Sequence, residues 1–232
     1  MGPNLEKLTM ALVGAPMDRF PDTIADRTRR VYDALSVVYP VSTYCFHSRA
    51  HKAAMRMSGI QDGMNVLEVA TGSGEMFKRL VRANPSGRTV GVDLSPKMAA
   101  RTHSMAKREF PDARSQCKAV DARAMPFRDA SFDAIMCCYL LELLGSDDIL
   151  LTLREFRRVL RPGGALTLVT IGQYDPAFNQ LYKVAGKIAP AFWGRQVERR
   201  AVELIESTQF RVTDERYVRQ GFYPSRVLTA RK

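Results

Sequence analysis

The stretch Leu67-Glu68-Val69-Ala70-Thr71-Gly72-Ser73-Gly74-Glu75 constrains this chain more than any other. It closes a short apolar run, Met64 to Ala70, turns through two glycines, and leads into the helical segment Phe77 to Val81. Glycines are wanted in such a turn because the backbone must approach a ligand closely and adopt angles that a β-carbon forbids. A strand that ends this way and feeds a helix opens a βαβ unit.

The chain repeats that alternation. Arg88 to Val92 is a second β-branched run, ending at Asp93. Pro96 stands where a first helical turn begins, and a polar helix follows to about Phe110. Ser115 to Val120 is a weaker strand, Phe132 to Cys138 a stronger one, and Asp147 to Leu160 an amphipathic helix that the turn Arg161-Pro162-Gly163-Gly164 ends. Ala165 to Ile171 reads as a buried strand. Val197 to Glu206 is helical, and Phe210 to Val218 alternates in a way that lets Phe222 to Thr229 pair back antiparallel. Strands and helices in this order predict an α/β fold with a mostly parallel sheet and right-handed crossovers. Ahead of it, residues 20–58 read as helical, interrupted at Pro40, with a second helix from Ser48 to Met57 that stops at Gly59. The predicted division is a helical cap over 1–60 and a core over 61–232 with a helical insertion near 172–196.

Composition removes other classes. Cys45, Cys117, Cys137 and Cys138 form no CxxC pair, which excludes a zinc ribbon and a thioredoxin-like motif. No apolar run approaches the roughly 18–20 residues that crossing a bilayer takes. The first 20 residues match neither a signal peptide nor a myristoylation pattern, so a cytoplasmic location is expected, with peripheral membrane association left open. The net charge of +11 is spread thinly: the excess is +3 over residues 1–60, +4 over 61–194 and +4 over 195–232. No basic arm stands out, so a solvated basic surface is the simplest reading and nucleic acid is disfavoured as a partner.

The ligand of the glycine turn follows from the acids around it. A dinucleotide site wants Gly or Ala three positions after the second glycine, where this chain has Phe77. Glu68, just before the turn, opposes a pyrophosphate but suits a ligand carrying an ammonium group. S-adenosylmethionine (SAM) carries an ammonium and a sulfonium and no phosphate. Asp93, 19 residues past Gly74, can accept hydrogen bonds from both ribose hydroxyls, and Asp121 stands where a carboxylate can meet the adenine amino group. Any one of these acids reads equally well as a surface turn; the three together, at successive strand ends, point to one crevice.

These residues carry a resemblance. Val66 to Gly74, Gly91 to Met98, Ala124-Met125-Pro126-Phe127, Ser131-Phe132-Asp133-Ala134 and Arg158 to Gly164 follow in the order found in class I SAM-dependent methyltransferases, of the broad group that includes the ubiquinone and menaquinone C-methyltransferases. The resemblance implies a Rossmann-like, doubly wound seven-stranded sheet whose last strand is antiparallel. It implies that Glu68 holds the methionine ammonium, Gly72 and Gly74 pass under the cofactor, Asp93 holds the ribose, Leu94 and Met98 flank the adenine, and Asp121 and Ala122 meet its edge. Ala70, Thr71, Ser73 and Cys138 complete the expected cofactor set, and no metal site is expected. Two departures bear on the acceptor. Tyr39-Pro40 replaces the Tyr-Asp pair of the quinone enzymes, and Tyr139-Leu140-Leu141-Glu142-Leu143 replaces their phenylalanine-glycine-leucine-arginine-asparagine stretch.

The implied reaction is methyl transfer to a small lipophilic or aromatic molecule, on carbon or oxygen. Positioning in a dry pocket can supply up to roughly 7–11 kcal/mol of such a barrier. A base is needed only where the acceptor holds its proton tightly. Candidates are Tyr39, His47, His51, Tyr139, Glu142, Tyr174 and Tyr182. His47 and His51 share a helix face but lack a third metal ligand, so they read as surface or cap histidines. Phe178, Tyr182, Phe192 and Trp193 fit either a lipophilic pocket or helical core packing. The alternative acceptor is a lipid headgroup amine, suggested by Glu142 and the basic surface. Nucleic-acid methylation would want Asn/Asp-Pro-Pro-Tyr/Phe after the fourth strand, where the chain has Cys137-Cys138-Tyr139-Leu140. A non-catalytic binder would not need all three acids.

Overall fold

The computed structural model describes residues 39–176, 178–180, 182 and 197–232. Seven strands form one sheet: β1 (Asn65–Val69), β2 (Arg88–Asp93), β3 (Arg114–Ala119), β4 (Phe132–Cys138), β5 (Leu160–Ile171), β6 (Arg211–Gln220) and β7 (Tyr223–Arg231). Their order is β3-β2-β1-β4-β5-β7-β6. β7 runs antiparallel to both β5 and β6, and the other described pairings are parallel. The order reverses between β1 and β4, which opens a crevice at their carboxyl ends.

Among the described residues, the helices α1 (Tyr39–Met57), α2 (Glu75–Ala83), α3 (Pro96–Glu109), α4 (Ser146–Val159) and α5 (Glu198–Ser207) flank the sheet. The two-residue period of the strands divides the core between the faces. On one face Leu67, Val69, Ile135 and Leu168 pack against Leu153 and Phe156 of α4 and Ile205 of α5. On the other, Val66, Met136, Val169 and Val227 meet Ala50, Ala53 and Ala54 of α1 and Leu80 of α2. The three alanines bring α1 close to the sheet. The same alternation turns Glu68 toward the α1 face, because it shares the parity of Val66.

Two expectations from sequence are corrected. The helix preceding the core covers Tyr39–Met57, not Ser48–Met57, and includes Pro40. Arg161-Pro162-Gly163-Gly164 lies within β5 as a bulge: pairing passes from Phe132↔Leu160 to Ala134↔Ala165. Arg161 pairs there with Asp133, whose other oxygen accepts the Asn65 N–H at 2.7 Å.

Phe77, where a dinucleotide fold would want a small residue, is fully buried and sits over Gly91 of β2. A Cβ on Gly91 would lie 2.7 Å from Thr71 Cγ2 and 2.9 Å from Phe77 Cε2. The small residue that lets helix and strand approach is thus on the strand. Gly91→Ala is expected to lower stability in urea unfolding by ~1–3 kcal/mol through overpacking, and Phe77→Leu in the same chain to restore part of it.

Candidate active site

The crevice between the carboxyl ends of β1–β4 is an open cleft whose empty space, open solvent included, is about 820 Å³. Its wall is built by Ala70 and Gly72 from the loop after β1, Asp93, Leu94 and Met98 from the β2–α3 junction, Asp121 and Ala122 after β3, and Cys138 and Tyr139 at the end of β4. A smaller compartment of about 310 Å³ adjoins it and shares Ala70, Gly72, Cys138 and Tyr139. Glu68, Thr71, Ser73 and Met76 line this second space with His47 and His51 of α1.

The two key acids differ in kind. Asp93 is fixed by backbone: Oδ2 accepts the Gly72 N–H at 2.8 Å and Oδ1 the Ser95 N–H at 2.9 Å. It thereby ties the glycine loop to the start of α3, whose N-cap Ser95 accepts from the Met98 N–H. Glu68 is 1% exposed, and its Oε2 has no hydrogen-bond partner. Burial, reinforced by the nearby Asp93 charge, holds its carboxyl well above the usual carboxylate range. A buried carboxyl oxygen left without a donor is costly, and a cationic donor entering the compartment would satisfy it. SAM's ammonium is such a donor, and the phosphate-free cleft chemistry fits the rest of that molecule.

Asp121 lines the cleft but is engaged by Arg123. The Arg123 Nη2 lies 2.7 Å from Asp121 Oδ2 and its Nη1 3.1 Å from Asp148 Oδ1, with the Arg123 side chain only 3% exposed. Burial opposes the guanidinium charge, but the bonds and charges of Asp121 and Asp148 outweigh it and raise its pKa. The expectation of acids alone around the crevice is therefore corrected: one acid is neutralised by a buried arginine, and what it offers the cleft is a fixed edge. Arg123 was missed although it stands two residues past Asp121, because charge type alone does not tell a solvated arginine from a buried one.

Gly74 stands at the start of α2. It faces α3, where a Cβ would lie 2.3 Å from Met105 Cε and 3.0 Å from Thr102 Oγ1, and its φ of +81° suits glycine. It serves helix contact at the turn, and the cleft wall is formed by Gly72.

The histidines are not on the surface. His51 is 4% exposed. His47 stacks on Tyr139 with ring centres 4.1 Å apart and tilts toward Tyr223 at 5.0 Å. Burial lowers the pKa of His47 to about 4, and burial with the nearby charges of His47 and Arg79 lowers that of His51 to about 3. Both are neutral at ordinary pH. Tyr139 holds φ +56°, a left-handed backbone unusual for a large side chain, and its hydroxyl shares a hydrogen bond of 2.8 Å with Ser225. Phe178 and Tyr182 extend this aromatic wall through Tyr223, with Phe178 5.5 Å from Tyr223. Tyr174 lies at the surface, 40% exposed, and its hydroxyl donates to the Val218 carbonyl. The side chain of Tyr39, and Phe192 and Trp193, lie outside the described residues.

Glu142 lines neither compartment. It is buried in the 3-10 turn Leu141–Leu143, and its Oε1 accepts the Ile171 N–H at 2.6 Å, pinning the end of β5. Its carboxyl is thus engaged with the end of β5, away from both compartments. Burial outweighs that bond and raises its pKa from 4.5 to about 7. Its stabilising contribution is full below about pH 4.5 and is lost as pH rises through about 7, roughly 3 kcal/mol in all. Glu142→Gln keeps a carbonyl for Ile171 and removes this dependence. The variant is expected to match the parent near pH 4 and exceed it by ~3 kcal/mol near pH 8 in urea unfolding. The histidines act in the opposite direction, since their depressed pKa values stabilise above 6.5 and that contribution is lost on acidification through about 4 and about 3. They are common to both proteins and cancel in the difference.

A switch-point cleft with an unpartnered buried carboxyl beneath a glycine loop suits SAM. Residues 66–164 match the family model of a methyltransferase domain. The matched domain, the sheet order and the relatives together support a class I SAM-dependent methyltransferase. It is 28% identical over 180 residues to a demethylmenaquinone methyltransferase of Staphylococcus aureus (strain JH9), covering 73% of this chain and 71% of that protein. Its fold is similar to that of the [4+2]-cyclase SpnF, with a TM-score of 0.71 at 18% identity over 88% of this chain and 96% of that one. It is also similar to a geranyl diphosphate C-methyltransferase from Streptomyces coelicolor A3(2), solved with Mg2+, geranyl diphosphate and S-adenosyl-L-homocysteine. The TM-score there is 0.66 at 15% identity over 78% of each chain. Among the described residues, no helix is long and apolar enough to cross a membrane.

Proposed function

We propose that the chain methylates a small lipophilic, aromatic molecule held against the ring wall of His47 and Tyr139, next to the carboxyl of Glu68. The observation that carries this reading is the stack of His47 on Tyr139, two uncharged rings lining the smaller compartment, of which Tyr139 also borders the larger cleft.

In this reading Glu68 receives the ammonium and Asp93 the ribose hydroxyls. Leu94 and Met98 flank the adenine, and Asp121 and Ala122 form its edge. Gly72 leaves room beneath, with Ala70, Thr71, Ser73 and Cys138 closing the sides. Bound SAM supplies an electrophilic methyl group on sulfur. The chain's own residues orient the acceptor and exclude water. A histidine whose pKa is about 4 is a weak base, and burial holds the Tyr139 hydroxyl protonated. The site therefore favours an acceptor that is already nucleophilic, such as an electron-rich ring carbon. Residues 1–60 would act as the cap over a core from 61 to 232; of that cap, residues 1–38 lie outside the described residues.

The amine-headgroup alternative loses its main support with Glu142 held by Ile171. The test is transfer of a labelled methyl from SAM to three acceptors: a prenylated naphthoquinol of the kind named by the Staphylococcus aureus relative, a catechol, and phosphatidylethanolamine. Label is expected in the naphthoquinol or the catechol. Label in phosphatidylethanolamine alone, or in none while calorimetry shows SAM bound, would overturn the proposal.

A further inference from the structure

Away from the cleft, a groove of about 590 Å³ runs between α1 and β6, lined by Arg49, Lys52, Arg56, Arg216, Tyr217 and Arg219 among others. The helix places Arg49, Lys52 and Arg56 three, then four residues apart, on one face. The 19 residues of α1 include no acid. Glu215 of β6 pairs with Arg226 and the neighbouring Asp175 with Arg219, while Asp214, outside the groove lining, accepts the Glu215 N–H. Arg49, Lys52, Arg56 and Arg216 have no carboxylate partner among the described residues.

The same end of the molecule exposes three aromatic rings. Tyr174 is 40%, Tyr217 48% and Phe222 52% exposed. Tyr174 and Tyr217 meet edge to face at 5.1 Å, and Phe222 occupies the turn between β6 and β7. From Phe222 a series of rings leads inward: Phe178 at 6.5 Å, Tyr223 a further 5.5 Å, and Tyr139 at 6.2 Å beyond. Tyr139 borders both compartments of the active site.

We infer that the α1–β6 groove and the Tyr217–Phe222 turn form a docking surface for an anionic lipid bilayer, from which an apolar acceptor passes along the rings to Tyr139. Unpaired cations attract an anionic surface at about fivefold in binding per residue. Amphipathic rings settle at the level of the headgroups. Nucleic acid would use the cations, but it gives no reason for a phenylalanine at the tip of a turn or for a ring series leading inward. The delivery path rests on the proposed lipophilic acceptor; the docking surface does not.

The test is co-sedimentation of the full chain with vesicles of phosphatidylcholine and with vesicles of phosphatidylcholine mixed with phosphatidylglycerol. Binding is expected to the mixed vesicles, to weaken with salt, and to be absent from the neutral ones. Arg49→Gln/Lys52→Gln/Arg216→Gln should lower it on the order of a hundredfold. Tyr217→Ser/Phe222→Ser should lower it about tenfold or more. Both variants should bind S-adenosylhomocysteine in calorimetry like the parent, which verifies their fold. Equal binding of parent and triple variant, no vesicle binding by the parent, or tighter binding to duplex DNA or RNA than to the mixed vesicles would each overturn the inference. Vesicle binding as expected, with no methylation of a naphthoquinol dispersed in neutral detergent, would leave the docking surface standing and remove the acceptor reading.

Discussion

Asp93→Ala is expected to weaken binding of SAM and of S-adenosylhomocysteine on the order of a thousandfold, read by titration calorimetry. Asp93 offers hydrogen bonds of the charged kind, each worth ~1.5–3 kcal/mol, and in the proposed role two of them go to the ribose. It also braces the site itself, since its oxygens hold the Gly72 and Ser95 N–H groups at 2.8 and 2.9 Å. Alanine removes both functions, and two backbone donors in the loop must then find water. Asp93→Asn retains one oxygen and should fall between the two. Removing the Asp93 charge also relieves part of what keeps Glu68 protonated, so the ammonium contact should survive and the ribose contact should not. An alanine variant with unchanged affinity would remove Asp93 from the cofactor site.

The second large effect belongs to Arg123. Arg123→Ala leaves Asp121 and Asp148 without their cation, with side chains only 23% and 16% exposed. Breaking a buried pair in this way typically costs ~3–5 kcal/mol, because an uncompensated charge remains. The expected result is a lower urea midpoint together with weaker cofactor binding, since the Asp121 edge of the cleft loses its anchor. Arg123→Lys should recover little. The Arg123 fork reaches Asp121 through Nε and Nη2 and Asp148 through Nη1, and an ammonium cannot bridge the two in that geometry. A stable lysine variant with full affinity would show that charge alone suffices.

The strands were legible because each ends in a chemical signal. β1 stops at a glycine turn, β2 at Asp93, and β4 has the apolar density of a strand buried on both faces. Glu68, Asp93 and Asp121 could be singled out because open sheets of this kind gather ligands at strand ends. What the sequence did not reveal depends on how elements dock. His47 and His51 share a helix face with Ala50 and Ala54, and Arg49, Lys52 and Arg56 share another. Only the packing of α1 on the sheet decides which face turns inward. Glu142 lies beside the cleft in sequence, yet the 3-10 turn directs it to Ile171. Gly74 and Gly91 show the same point, since the need for a missing side chain came from α3 and Phe77 across space.

The left-handed backbone at Tyr139 carries a consequence for how this protein can change. A non-glycine residue held there costs on the order of 1–3 kcal/mol, and glycine or asparagine would relieve it. Glycine would, however, forfeit the ring packed on His47 and the bond to Ser225 as it relaxed the backbone. The bent backbone can thus persist in any descendant that keeps the aromatic wall, and should straighten only where that wall is lost.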